Sequence, residues 1–140
     1  MTDETVDDLS ITDDEGLLRR VPNQPNMVKY DENIKAYRPT SVCFCDRETK
    51  DKELSITLEK SLTDSGERTE SATQNNPGFG LARLLTGVVR DNITPQQIIT
   101  RAPTDADPHH GLIIGDKTKS TKKNLAKQAV LIITPQLDEE

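Results

Sequence analysis

Three short apolar runs, separated by long polar stretches, constrain the fold of this chain more than any other feature. They are SVCFC at 41–45, GFGLARLLTGVV at 78–89 and HHGLIIGD at 109–116. None approaches the roughly 20 apolar residues that a membrane-spanning helix requires. Hydrophobic residues make up 32% of the 140 residues and aromatic residues 3%, with no Trp, so the core has to be built from Leu, Ile and Val. The sequence therefore predicts one small domain with a modest core and no membrane segment.

The chain divides into an acidic leader, one folded domain and a short tail. The charged residues of 1–15 are all acidic and this stretch has no periodic apolar face, which predicts a disordered leader. Residues 16–135 form the domain, with a long polar loop at 63–77, and residues 136–140 form a frayed tail. The acidic start also predicts no secretory leader, because such a leader begins with positive charge and continues with an apolar run.

Alternating apolar residues and β-branched content predict about five short strands. We expect them at 17–21, 40–45, 54–58, 98–100 and 111–114, with Met27 to Tyr30 and Val130 to Thr134 as further candidates. Leu54, Ile56 and Leu58 should face the core. Residues 94–101 also begin with Thr-Pro-Gln-Gln, which satisfies a capping box, so a short helix there stays open as the alternative to a strand.

Two segments have the features of helices. Residues 78–92 predict the main helix, because apolar side chains recur at i, i+3, i+4 and i+7. These side chains are Leu81, Leu84, Leu85 and Val88. A second helix is expected to begin at a cap formed by Ser120 or Thr121. Since strands and helices do not alternate regularly, we predict an α+β fold: a small, mostly antiparallel sheet of about five short strands with two helices packed on one face.

Cys43, Cys45, His109 and His110 are the only thiols and imidazoles of the chain. Two cysteines at i and i+2 of one strand have poor geometry for a disulfide, so free thiols are expected, and free thiols favour the reducing cytoplasm. The C-x-C spacing with adjacent histidines does not fit a zinc site, and we expect no metal and no cofactor. Neighbouring residues of a strand point to opposite faces, so at most one histidine can face a pocket.

The segment HHGLIIGD resembles the strand around the catalytic His of the bacterial cell-wall cysteine peptidases, in which a His opens an apolar strand that ends in Gly. This resemblance, confined to 109–116, implies a Cys43 nucleophile with His109 or His110 as its base. In that family the nucleophile opens a helix, preceded by Asp and followed by Ser-Gly. Cys43 instead lies in a predicted strand. A small cysteine hydrolase is therefore an alternative interpretation.

Charge is distributed unevenly along the chain, whose formal net charge is −6. The leader is acidic, whereas lysines cluster at 117–127. We therefore predict a non-enzymatic accessory or interaction protein of bacterial type that binds a partner protein through charged surfaces. The candidate partner-binding residues are Lys117, Lys119, Lys122, Lys123 and Lys127 of the cluster and Asp7, Asp8, Asp13 and Asp14 of the leader. A second alternative is phosphate-backbone binding by the lysines, although the net negative charge and the absence of interleaved aromatics argue against a nucleic-acid partner.

Overall fold

The computed structural model describes residues 7–46, 48–50 and 52–137. Its strands are β1 (Gly16–Val21), β2 (Val28–Asp31), β3 (Ala36–Pro39), β4 (Glu53–Leu58), β5 (Gly80–Leu85), β6 (Ile98–Arg101), β7 (His110–Ile114) and β8 (Val130–Ile133). Its helices are α1 (Glu59–Asp64), α2 (Thr86–Asn92) and α3 (Lys119–Gln128), and 3-10 helices form at Pro25–Met27, Ser41–Phe44 and Thr69–Thr73. None of these helices combines the length and the apolar character needed to cross a bilayer.

Antiparallel pairing organises the main sheet, whose strand order is β6-β7-β4-β1-β5-β8. The first strand lies inside the sheet, where Leu17 pairs with Leu58 of β4 on one side and with Leu84 of β5 on the other. Strands β2 and β3 form a separate hairpin in which Tyr30 pairs with Tyr37. The predicted α+β class and mostly antiparallel sheet are confirmed, as are the strands expected at 17–21, 54–58, 98–100 and 111–114.

The sheet buries apolar side chains on both of its faces. Leu54, Ile56 and Leu58 join the larger core cluster, as predicted, together with side chains of α2 and α3. The smaller cluster contains Leu18 of β1, Leu62 of α1 and Leu81 of β5. Because consecutive strand residues point to opposite faces, the two longer helices cover one face of the sheet and the short α1 covers the other.

The helix predicted over 78–92 is wrong in its first half. Gly80–Leu85 is strand β5, and the helix begins only at Thr86. Leu81 and Leu84 lie in different core clusters, so they are buried on opposite faces of the sheet. A strand that is covered on both faces has a nearly continuous apolar run. Such a run also contains the i, i+3 and i+4 spacing of an amphipathic helix, which explains the misassignment.

The strand predicted at 40–45 is also wrong, since Ser41–Phe44 is a 3-10 helix. The first turn of this helix is closed by a hydrogen bond from the Cys43 amide to the Thr40 carbonyl at 3.1 Å. Arg19 of β1 then holds the segment against the sheet, with Nε donating to the Cys43 carbonyl at 2.8 Å and Nη1 to the Ser55 carbonyl at 2.7 Å. This long-range anchor decides the local conformation in place of the β-branched content.

Residues 7–15 of the acidic leader, which the sequence predicts to be disordered, are ordered against the domain. Residues 1–6 lie outside the described residues. Ile11 is completely buried in the core. The Asp8 amide donates to the Ile99 carbonyl at 2.8 Å, and the Ile99 amide donates to Asp7 Oδ1 at 3.0 Å. This segment therefore covers the outer edge of β6 and satisfies backbone groups that an edge strand otherwise leaves open.

The remaining boundaries differ from the sequence predictions in smaller ways. The polar stretch 63–77 contains the end of α1 and the 3-10 helix Thr69–Thr73. The cap of α3 is Thr118, not Ser120 or Thr121: its hydroxyl accepts from the Thr121 amide at 3.1 Å, while the Thr118 amide donates to Thr121 Oγ1 at the same distance. In the expected tail, the Gln136 amide donates to the Gly78 carbonyl at 2.8 Å, and residues 138–140 lie outside the described part of the chain.

Candidate partner-binding site

A groove of about 360 Å³ lies between the β2–β3 hairpin and α3. Its lining includes Lys29, Arg38, Thr40, Ser41, Lys123 and Lys127. Two of the lysines predicted from the sequence thus meet two cations from a distant hairpin. Four cationic side chains around one groove make it a strongly positive region of a chain whose formal net charge is −6.

The positions of these cations follow from local structure. Lys123 and Lys127 are four residues apart on α3, so they lie on the same side of the helix. Leu125 and Ala126 are buried and hold the helix on the core. Lys29 and Arg38 are register partners in the hairpin, which places both side chains on one face of the two-stranded sheet.

Unneutralised positive charge remains around the groove. Like charges directly opposite each other in a hairpin repel, and Arg38 is partly compensated by Asp31, whose Oδ2 lies 3.1 Å from Nη1. Lys29, Lys123 and Lys127 are exposed and form no ion pair within the described part of the chain. Carboxylates or phosphates of a ligand would find cationic partners here without displacing an internal salt bridge of the lysines.

Lys117, which the sequence predicts as a partner-binding residue, does not line this groove. Only 8% of the residue is exposed. Its ammonium group donates to the backbone carbonyls of Ile113 and Gly115, each at 3.0 Å, and of Lys52 at 3.3 Å. It therefore binds the loop between β7 and α3 to the segment before β4. Lys119 is exposed outside the groove lining and Lys122 is half-buried.

The predicted acidic residues mostly serve the domain itself. Asp7 and Asp13 both bind Arg90, with Asp7 Oδ2 2.8 Å from Nε and Asp13 Oδ1 3.0 Å from Nη1. Asp8 lies 3.3 Å from Arg101, and hydrogen bonds from Ser10 lower the pKa of the Asp8 carboxyl. These interactions hold the segment before β1 in place, and the partner-binding role of Asp7, Asp8 and Asp13 stays a prediction.

Asp14 is the remaining acid of that set, and it is exposed. The Thr12 hydroxyl donates to Asp14 Oδ1 at 2.5 Å, and this hydrogen bond lowers the pKa of the carboxyl. The carboxylate of Asp14 therefore stays charged over a wider pH range than an ordinary aspartate. It does not lie at the groove.

Cys43 lacks the surroundings of a nucleophile. It is 2% exposed, and its Sγ donates to the Met27 carbonyl at 3.0 Å. Burial raises the pKa of the thiol. Hydrogen bonds with Thr40 and the charge of Arg19 lower it, but they offset the effect of burial only in part. Among the described residues, no hydrogen bond joins Cys43 to a histidine, and no cluster of His, Cys, Asp or Glu is arranged to hold a metal. Cys45 is half-buried, and both thiols are free.

The two histidines occupy different environments. His110 Nδ1 donates to the Ala102 carbonyl at 2.9 Å, which ties β7 to the end of β6. His109 lies between two serines of the α1 region, with Nδ1 2.8 Å from Ser61 Oγ and Nε2 3.4 Å from Ser65 Oγ. His109 also lines a second cleft, of about 270 Å³, which shares no lining residue with the groove. The cysteine and the histidines therefore do not assemble into one site.

Sequence analysis missed the two hairpin cations. Lys29 lies in a segment assigned only as a possible strand, and Arg38 precedes a strand that proved to be a helix. The sequence does contain a signal for the hairpin: V-K-Y at 28–30 and Y-R-P at 37–39 flank a short turn. Lys29 and Arg38 therefore occupy equivalent places on either side of it. The meeting of this hairpin with α3 depends on tertiary structure and has no signature in the sequence.

Comparisons of the chain with protein-family models, with curated proteins and with solved structures find no match. The geometry of the groove therefore carries the functional conclusion.

Proposed function

We propose that this protein is a non-enzymatic interaction module that binds an acidic segment of a partner protein in the groove between the β2–β3 hairpin and α3. The observation that carries the proposal is the convergence of Lys29, Arg38, Lys123 and Lys127 on one groove of about 360 Å³. Carboxylate side chains suit this site because the Arg38 guanidinium presents paired donors and the lysines supply mobile ammonium groups.

An acidic protein segment fits the groove better than a nucleic acid does. The groove lining contains no aromatic side chain on which a base could stack. The formal net charge of −6 also repels a long polyanion, whereas a short acidic segment interacts mainly with the local positive charge. We place this module in the cytoplasm, because both of its cysteines are free thiols.

A hydrolase that uses Cys43 has less support. The thiol is buried, donates to a carbonyl and has a raised pKa. A reactive cysteine needs the opposite surroundings, a lowered pKa and access to substrate.

The proposal is tested with a fluorescein-labelled peptide of alternating Glu and Gly, whose binding is followed by fluorescence polarisation. The groove variant is Lys123→Glu/Lys127→Glu. Its matched control is Lys60→Glu/Lys119→Glu, which changes the net charge equally but replaces two exposed lysines outside the groove lining. We expect the groove variant to bind at least about tenfold more weakly than the wild type, because reversal replaces attraction by repulsion, whereas the control should stay within about twofold.

Salt and a second probe complete the design. Affinity of the wild type should fall as NaCl rises from about 20 to about 200 mM, because screening weakens exposed charge pairs. The proposal is overturned if the peptide does not bind, if both double variants lose affinity equally, or if a labelled DNA duplex binds more tightly than the peptide does.

A further inference from the structure

The cleft beside His109 shares no lining residue with the groove. Thr57 of β4, Arg20 of β1 and His109 line it, together with Glu67 and Asp107. Thr57 points away from the larger core, because its neighbours Ile56 and Leu58 both belong to that cluster. The cleft therefore opens on the α1 side of the sheet, whereas the groove lies beside α3.

Thr57 is the observation that points to a ligand. The residue as a whole is 7% exposed, but its hydroxyl is not among the buried unpaired atoms of the described residues, and it has no hydrogen-bond partner among them, so it is accessible from the cleft. A threonine hydroxyl that is accessible and unpaired within the fold can both donate to and accept from a bound molecule. Since Thr57 lines the cleft, a polar molecule bound there can hydrogen-bond to this hydroxyl.

Charges of both signs line the same cleft. Arg20 is exposed, and its Nη1 donates to Asn76 Oδ1 at 3.2 Å, which leaves other guanidinium N–H groups for a ligand. Asp107 Oδ1 accepts from the His109 amide at 3.0 Å and keeps further acceptor capacity, and Glu67 adds a second carboxylate.

The His109 ring is held in a fixed orientation at this cleft. Ser61 Oγ lies 2.8 Å from Nδ1 and Ser65 Oγ lies 3.4 Å from Nε2. Its main chain is fixed as well, because the Leu58 amide donates to the His109 carbonyl at 2.8 Å. The wall of the cleft is thus preorganised, and a preorganised wall lowers the entropic cost of binding a small molecule.

The geometry points to a binding site for a free α-amino acid in this cleft. One cation and two carboxylates match the carboxylate and the ammonium group of a zwitterion, and the Thr57 hydroxyl gains a hydrogen-bond partner. The volume of about 270 Å³ lies just below the roughly 300–1,000 Å³ of pockets that hold drug-sized ligands, which suits a smaller molecule.

Each common L-amino acid is added separately to the full chain, and binding is measured by thermal shift and by calorimetry. We expect at least one to raise Tm by about 3 °C at about 10 mM. Thr57→Val keeps the shape of the side chain but removes the hydroxyl, and should weaken binding at least about fivefold. Arg20→Gln, at an exposed position, should do the same without any effect on folding. Thr100→Val is the matched control on β6, outside the cleft lining, and should leave affinity unchanged.

Several results would overturn the site. They are the absence of any shift across the amino acids, equal binding by wild type, Thr57→Val and Arg20→Gln, and equal binding of the N-acetyl amide of the same amino acid, which lacks both charges. The groove variant Lys123→Glu/Lys127→Glu should retain amino-acid binding. Failure of this site therefore leaves the proposed acidic-segment groove untouched, and the reverse also holds.

Discussion

Replacement of Lys117 by Met tests whether this lysine stabilises the fold or serves a partner. Its ammonium group donates to the carbonyls of Ile113, Gly115 and Lys52 at 3.0, 3.0 and 3.3 Å, and the residue is 8% exposed. Met fills nearly the same space with an unbranched apolar chain, so the substitution removes the donors without opening a large cavity.

The magnitude follows from the acceptors that are left behind. A hydrogen bond to a charged group contributes roughly 1.5–3 kcal/mol, and loss of a buried charge returns part of that through relief of desolvation. The Lys52 carbonyl keeps a second donor, the Gly115 amide at 2.9 Å, so its loss is the smallest. Lys117→Met should therefore lower the free energy of unfolding by about 3 kcal/mol.

Urea unfolding followed by far-UV circular dichroism measures this change as a lower midpoint with an unchanged m value. Lys119→Met is the control, an exposed lysine two residues away whose replacement should change stability by no more than about 0.5 kcal/mol. Equal midpoints for the two variants would refute the structural role. So would a Lys117→Met protein that keeps its stability but loses affinity for the acidic peptide.

Two further predictions concern side chains on either face of the sheet. Iodoacetamide should alkylate the half-buried Cys45 in the native protein and reach Cys43 only after urea is added, as mass spectrometry of the modified peptides would show; native labelling of Cys43 would contradict its burial. Burial raises the pKa of Glu59, but hydrogen bonds from Arg83 and Thr69 outweigh it and bring that pKa below its ordinary 4.5. The Glu59 carboxylate therefore stabilises the fold fully above about pH 4.5, and this contribution is lost as the pH falls through the folded-state pKa. Glu59→Gln should show a shallower decline of the urea midpoint below about pH 4.5 than the wild type. Parallel declines of the two proteins would refute this.

Sequence patterns predicted the parts of the fold that depend on local alternation. Leu54, Ile56 and Leu58 were expected on one core face and lie there, because a strand with one polar neighbour between each pair of apolar residues has a single register that buries them. The strand over 98–100 was also expected, and its β-branched residues outweigh the capping signal at Thr94.

Long-range contacts decided what the patterns could not. Arg19 binds the Cys43 carbonyl of Ser41–Phe44, which is a 3-10 helix where the residue pattern predicts a strand. Arg90 binds Asp7 and Asp13 and thereby holds the acidic segment before β1, whose like charges repel one another, against the domain. The groove likewise depends on a long-range contact, since α3 could be predicted but Lys29 and Arg38 join it only when the hairpin packs beside it. No local propensity contains that information.

The two tyrosines of the β2–β3 hairpin have a spectroscopic consequence. Tyr30 and Tyr37 are about half exposed, and their rings meet edge to face with centroids 5.4 Å apart. The chain has no Trp and no other Tyr, so these two phenols dominate its near-ultraviolet emission. Intrinsic fluorescence of this protein therefore reports on the hairpin beside the groove, whereas its core, built mainly from Leu and Ile, contributes little emission.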